Sequence, residues 1–263
     1  MIYIDSIIKA FDELNFDWWE LLNPDLVSIN FVNYLYSDEP YPVFEHNWIH
    51  VFTYLKYQSR LFAVSSGVGK VIVVVRDSGE ILLFTPCLNT NGMDIFFTSI
   101  CSFMKKIGMT RLIILNVSLD WKEKYEQYLN SRMENWEFVV RSKEEVIYEL
   151  KSIVKLQGSK FGNLRNIKNR LISSEILKFN VLDKTNLFSA IEILDRWQIV
   201  QGYKYSKNKH DKEKYVLEQL VDFDKSFMNQ VFLEMGSING KNLSLLVWFV
   251  VPTHPQYAIN YIL

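Results

Sequence analysis

The sequence predicts a mixed α/β (α+β) fold, with mostly antiparallel sheets flanked by helices, built as two units of residues 1–145 and 146–263. Three observations carry this. β-Branched runs flank glycine-containing turns in both halves, segments of helical apolar spacing alternate with them, and 263 residues that are 49% hydrophobic can bury two modest cores.

In chain order, apolar residues at Ile7, Ile8, Phe11, Leu14, Trp18 and Leu22 recur at three-and-four spacing and predict a helix over 6–22, closed by Asn23-Pro24. An aromatic stretch ends in the turn Glu39-Pro40-Tyr41-Pro42, and 48–57 suits helix or strand equally. Residues 70–75 and 81–85 flank Arg76-Asp77-Ser78-Gly79-Glu80 as a hairpin. Helix 93–107, strand 111–117, helix 120–133, strand 137–140 and helix 144–154 follow. The second half reads as a basic helix over 159–177, a strand at 179–182, a helix at 186–201 opened by an Asn186 cap, and a helix at 212–224. Two strands, 231–237 and 243–251, end it, joined through Asn239-Gly240, a pair suited to φ > 0 turns.

Composition narrows function by exclusion. Ten glycines and six prolines rule out collagenous and linker-like chains, and a net charge of −1 removes any global case for a polyanion binder. The start, Met1-Ile2-Tyr3-Ile4-Asp5, lacks a basic n-region and the apolar runs are far below the ~20 residues of a membrane span, so the expectation is a cytoplasmic chain without a transmembrane segment. Cys87 and Cys101 cannot form a disulfide framework and read as reduced thiols.

One segment departs from this neutrality. Between Lys151 and Lys178, seven basic residues (Lys151, Lys155, Lys160, Arg165, Lys168, Arg170, Lys178) stand against Glu175 alone, a local charge of +6. On a helix, Leu164, Ile167, Leu171 and Ile172 form an apolar face, and the opposite side offers cations with Asn166 and Asn169 as amide hydrogen-bonders. Such a surface suits phosphate, whether of RNA, a lipid headgroup or a coenzyme pyrophosphate. A solvated helix face balanced by acids elsewhere is the bland alternative.

The spelling adds to the charge. Tyr148, then Leu156-Gln157-Gly158-Ser159-Lys160-Phe161, then Arg165-Asn166-Ile167-Lys168-Asn169, with Trp197 in the next long helix, resembles the pattern of the phosphatidylglycerol lysyltransferase C-terminal-like family, built from two tandem acyltransferase folds of the GNAT type. The resemblance covers roughly residues 30–250, with the specific spelling confined to 156–169. It implies transfer of an acyl or aminoacyl group from aminoacyl-tRNA or acyl-CoA, bound as co-substrate and not as a resident cofactor, to a small-molecule, peptide or lipid acceptor. It places the donor's phosphates on Lys160, Arg165, Asn166, Lys168, Asn169 and Arg170, with Phe161 and Trp197 lining the pocket. The chain departs from the pattern at Arg170-Leu171, where an aromatic residue is usual. It also lacks the glycine-rich pyrophosphate loop of coenzyme A users, and its second unit reads as shortened.

Aminolysis needs no covalent nucleophile but does need a proton acceptor, for which Glu234, Tyr203 and Tyr205 are the candidates. A non-catalytic binding module of the same fold is the alternative. Ser65-Ser66-Gly67-Val68-Gly69-Lys70 lacks phosphate-loop spacing and reads as a hairpin turn. His46 and His50 are four apart, but with no third ligand nearby no metal is expected, and His210 and His254 read as surface residues.

Overall fold

The computed structural model describes residues 4–37, 45–67, 69–88, 92–132, 159, 162–173, 177–202, 206–223, 226, 231–252 and 254–262. The chain forms two compact units, Met1–Arg141 and Ser142–Leu263. The fold is mixed α/β, with one sheet in each unit and helices flanking both.

The first unit opens with α1 (Ile4–Glu13), followed by β1 (Asp17–Glu20) and α2 (Leu26–Leu35). The helix expected over 6–22 is therefore half that length. Asn15 takes a left-handed φ of 53° and stops α1, and the chain extends so that Trp18 packs on Phe11 and Phe62 while Trp19 meets Phe31. Asp25 caps α2 by accepting from the Ser28 amide at 2.7 Å. A short helical turn, α3 (Trp48–His50), runs into a π-helical turn (Val51–Leu55), which resolves the ambiguity over 48–57 as helix.

Antiparallel strands β2 (Ser59–Ser66), β3 (Gly69–Arg76) and β4 (Ile81–Leu88) form the sheet's centre. No pattern announced β2. The chain turns at Gly67 between β2 and β3 and at 77–80 between β3 and β4, the latter using Gly79 at φ 85°. Helix α4 (Met93–Lys106) crosses to β5 (Ile113–Leu115), which pairs parallel with β4, and α5 (Leu119–Arg132) follows, giving the order β1-β2-β3-β4-β5.

Both faces of this sheet are covered. Phe62, Val64, Val71, Val73, Val75, Ile81 and Leu83 pack under α1, α4 and α5 through Phe11, Phe97, Ile100, Phe103 and Tyr125. On the opposite face, Leu61, Ala63, Ile72, Val74 and Phe84 are fully buried on the side of α2 and α3.

The second unit begins with α6 (Gly162–Ser173) and continues through β6 (Leu177–Val181), α7 (Leu187–Gln201), α8 (Lys207–Asp222), β7 (Val231–Ile238), β8 (Lys241–Val251) and β9 (His254–Ile262). Its order is β6-β7-β8-β9, all antiparallel. Three strands end the chain, where two were expected, because residues after Pro252 pair with β8 from Val251 to Val247. Asn239 and Gly240 supply the left-handed turn between β7 and β8 at φ 51° and 73°.

Asn186 does not cap α7 as a side-chain acceptor. Its Oδ1 accepts from the Asp183 amide and its Nδ2 donates to the Val181 carbonyl, so it ties the preceding turn instead. One face of the second sheet, carrying Met235, Leu245, Val247, Phe249 and Val251, is buried with Ile193, Leu194, Val216, Leu217 and Leu220 of α7 and α8. Among the described residues, no helix is long and apolar enough to cross a membrane. The readings for 137–140, 144–154 and the Tyr148 and 156–158 motif positions lie outside the described residues.

Candidate functional site

The basic segment forms a helix, as its spelling predicts, though a shorter one. Asn166, Lys168, Asn169 and Arg170 are exposed and Arg165 is half-buried. At ~100° per residue, Arg165 and Lys168 share one flank of α6, Asn166 and Asn169 lie along its polar crest, and Arg170 falls ~140° round from Arg165. The cations therefore straddle the crest and do not form one stripe. Ile167, expected on the apolar face, is 46% exposed. Lys160 and Phe161 lie outside the described residues.

A charged cluster that the sequence did not announce sits where α7 meets α8. Asp195 Oδ1 accepts from His210 Nε2 at 2.8 Å and from Lys214 Nζ at 2.6 Å. Lys214, ahead of His210, holds the Asp195 carboxyl below the usual range. His210, expected at the surface, is only 4% exposed, because its i,i+4 relation to Lys214 turns both toward Asp195. Beside them, burial pushes the Glu213 carboxyl up to about 7. Its Oε1 lies 3.7 Å from Lys209 Nζ, and its Oε2 has no hydrogen-bond partner among the described residues.

The spacing of His210 and Lys214 could have flagged this cluster. Nothing local could have named Asp195, fifteen residues upstream across a turn. Tyr203 and Tyr205 lie outside the described residues, and Trp197 on α7 is 39% exposed.

Glu234 stands on β7 opposite Val181 and Leu246, half-buried. Its neighbours on the same face are Phe179, Val181, Phe232 and Trp248, the last two stacked at 3.9 Å. The carboxylate thus sits among apolar side chains of the same face.

In the first unit, β4 and β5 pair only over Leu82–Ile113, Leu83–Ile114 and Phe84–Leu115. β5 thus pairs over its whole length and stops before Asn116, at a left-handed φ of 55°, while β4 runs on to Leu88 beyond it. The Asn116 carbonyl accepts from His46 Nε2 at 2.5 Å, and the His46 ring stacks on Tyr36 at 4.1 Å. Burial brings His46 down to about 4, so its imidazole is neutral and carries its proton on Nε2. His50 stacks on Phe84 instead of joining His46 around an ion. Among the described residues no group of three or more His, Cys, Asp or Glu could hold a metal. His254 opens β9.

No family model matches the chain, and no curated protein matches it. Among solved structures it is similar to the crystal structure of a conserved protein of unknown function from Bacteroides thetaiotaomicron VPI-5482, with a TM-score of 0.68 and 12% identity. The likeness covers 87% of this chain and 75% of that one, more of this chain than either unit supplies. At that identity it is a likeness of fold alone.

Proposed function

We propose that the chain transfers an acyl or aminoacyl group from an activated donor, aminoacyl-tRNA or acyl-CoA, to an amine or hydroxyl acceptor. The observation that carries this reading is the first unit's strand order, antiparallel from β1 to β4 with a helical crossover to a parallel β5 that ends after three residue pairs while β4 runs on to Leu88. A GNAT unit requires a helix, a strand and a helix at that point, and α4, β5 and α5 supply them. Where β4 runs past the end of β5, its main-chain N–H and C=O groups on that side have no β5 residue to pair with and can hold an acyl chain and the oxyanion of its carbonyl.

The second unit repeats the same opening of helix, strand, two helices and three antiparallel strands, in support of the tandem resemblance. In this reading Arg165 and Lys168, with Lys160 and Arg170, take the donor's phosphates through charge-assisted hydrogen bonds. Phe161 and Trp197 line its pocket, and Glu234, Tyr203 or Tyr205 accepts the proton.

The test is transfer by the purified chain from a panel of acyl-CoA thioesters and aminoacyl-tRNAs, compared with Arg165→Ala/Lys168→Ala. The double variant should raise the donor KM about tenfold or more while leaving the circular dichroism spectrum unchanged. Failure to bind or consume either donor class overturns the transferase reading. A non-catalytic binding module is the second reading, favoured by the exposed apolar face of the second sheet.

A further inference from the structure

The inner face of α8 is an apolar stripe with one exception. Val216, Leu217 and Leu220 are buried on it, and Glu213, one turn before them on the same stripe, is only 6% exposed. A glutamate in such a position is rare unless it is paired. Glu213 is poorly paired: Oε1 lies 3.7 Å from Lys209 Nζ, beyond hydrogen-bond length, and Oε2 has no hydrogen-bond partner among the described residues.

The charges around it are set by the two helices. Asp195 of α7 accepts from both His210 and Lys214 of α8 through Oδ1, and so clasps one helix to the other. At ~100° per residue, Lys209 and His210 flank Glu213 on the inner face of α8, Lys212 and Lys214 lie at its two edges, and Asp211, Tyr215 and Glu218 fall on the far side. On α7, Glu192 and Arg196 are exposed, and Arg196 donates to the Asn242 carbonyl instead. The described buried residues of the sheet beneath, from Met235 to Val251, include no titratable group.

We propose that the α7–α8 pair is a proton-operated joint: while Glu213 keeps its proton the clasp on Asp195 stays shut, and loss of that proton to solvent lifts the first two turns of α8 off α7. A carboxylate left at this position has one ammonium at 3.7 Å and no donor on its second oxygen. Water is then its best partner, and water reaches it when α8 lifts. Burial holds the Glu213 carboxyl at about 7 against an ordinary 4.5, so the closed joint has its full advantage below about pH 4.5 and loses it as pH rises to 7. The joint does not depend on whether the chain transfers acyl groups.

The segment that opens carries four trypsin sites, at Lys207, Lys209, Lys212 and Lys214. Their cleavage in the full chain, mapped by mass spectrometry and normalised to the unfolded chain at the same pH, reads the open population. It should rise about tenfold from about pH 6 to about pH 8 and level off above that. Glu213→Gln and Glu213→Leu, neither of which ionises, should both hold cleavage at its low-pH rate. In the wild-type chain, carbon NMR of labelled glutamate carboxyls should show one glutamate titrating in step with cleavage, a readout that needs no variant to fold. A flat wild-type profile overturns the inference, and so does a glutamate signal that does not follow it. A rise that both Glu213 variants keep and His210→Gln removes overturns it as well, because the imidazole is then the switch.

Discussion

The first sheet buries apolar residues on both faces, whereas among the described residues the second buries one face with α7 and α8 and leaves Phe179, Val181 and Phe232 of the other exposed, and the difference separates two uses of the same strand pattern. In the first unit Leu61 to Val64, Val71 to Val75 and Ile81 to Phe84 are buried whichever face they point to. In the second, the alternation of β8 divides Leu245, Val247, Phe249 and Val251, all buried, from Leu246 and Trp248 on the open side. An apolar residue on a strand is therefore not by itself evidence of a core position, and which face has a helix over it decides.

The sharpest way to break this comparison is truncation. Phe11→Ala in the first unit and Phe249→Ala in the second remove rings that are 1% and 0% exposed. Each should cost about 3–5 kcal/mol in denaturant unfolding, whereas Phe179→Ala should cost under about 1 kcal/mol. Equal costs at Phe179 and Phe249 would mean that the open face is covered after all.

Acidity should separate the units next. Glu213 titrates near 7 in the folded chain against an ordinary value of 4.5, so the fold holds its proton more tightly than the unfolded chain does. Its contribution is fully present below about pH 4.5 and is lost as pH rises toward 7. His46 runs the other way. With a folded value near 4 against 6.5, its contribution is present above pH 6.5 and is lost as pH falls toward 4. Hydrogen exchange, corrected for intrinsic rates, should show the second unit loosening toward neutrality and the first toward acid, and Glu213→Gln should abolish only the former trend.

The smallest effect concerns a sheet edge. Arg60 pairs with Glu20 through two nitrogens, at 2.7 and 2.5 Å, and pins β1 to β2. Both side chains are partly exposed, and Arg60→Ala should cost no more than about 1 kcal/mol in the same unfolding experiment.

Much of the fold was legible because its signals are local. The β3–β4 and β7–β8 hairpins combine β-branched runs with turn residues that accept positive φ, and both formed where those signals stand. The first helix overran because Trp18 and Leu22 continue a helical period by coincidence, while the residue that ends it, Asn15, is a weak breaker in sequence terms. β9 was missed because Pro252 and Pro255 bracket its start, and its pairing depends on β8, which no local pattern reports. The candidate donor helix was readable as charge, but only the helix itself separates Arg170 from Arg165 and Lys168. The Asp195–His210–Lys214 cluster needed tertiary contact between two helices, so a polar stretch concealed a buried histidine.

The parallel pairing of β4 with β5 also bears on how the chain reaches its fold. The second sheet pairs β7–β8 and β8–β9 as near neighbours along the chain, but it must also hold Val181 of β6 against Glu234 of β7 across two helices. The first sheet must hold Leu82 against Ile113 across an intervening helix, a closure of about 30 residues that has to be made before its three residue pairs stabilise anything. The longest closures are nevertheless those of the first strand of each sheet, Glu20 on Phe62 and Val181 on Glu234, so by contact order docking β1 on β2 and β6 on β7 is slower than joining β5 to β4.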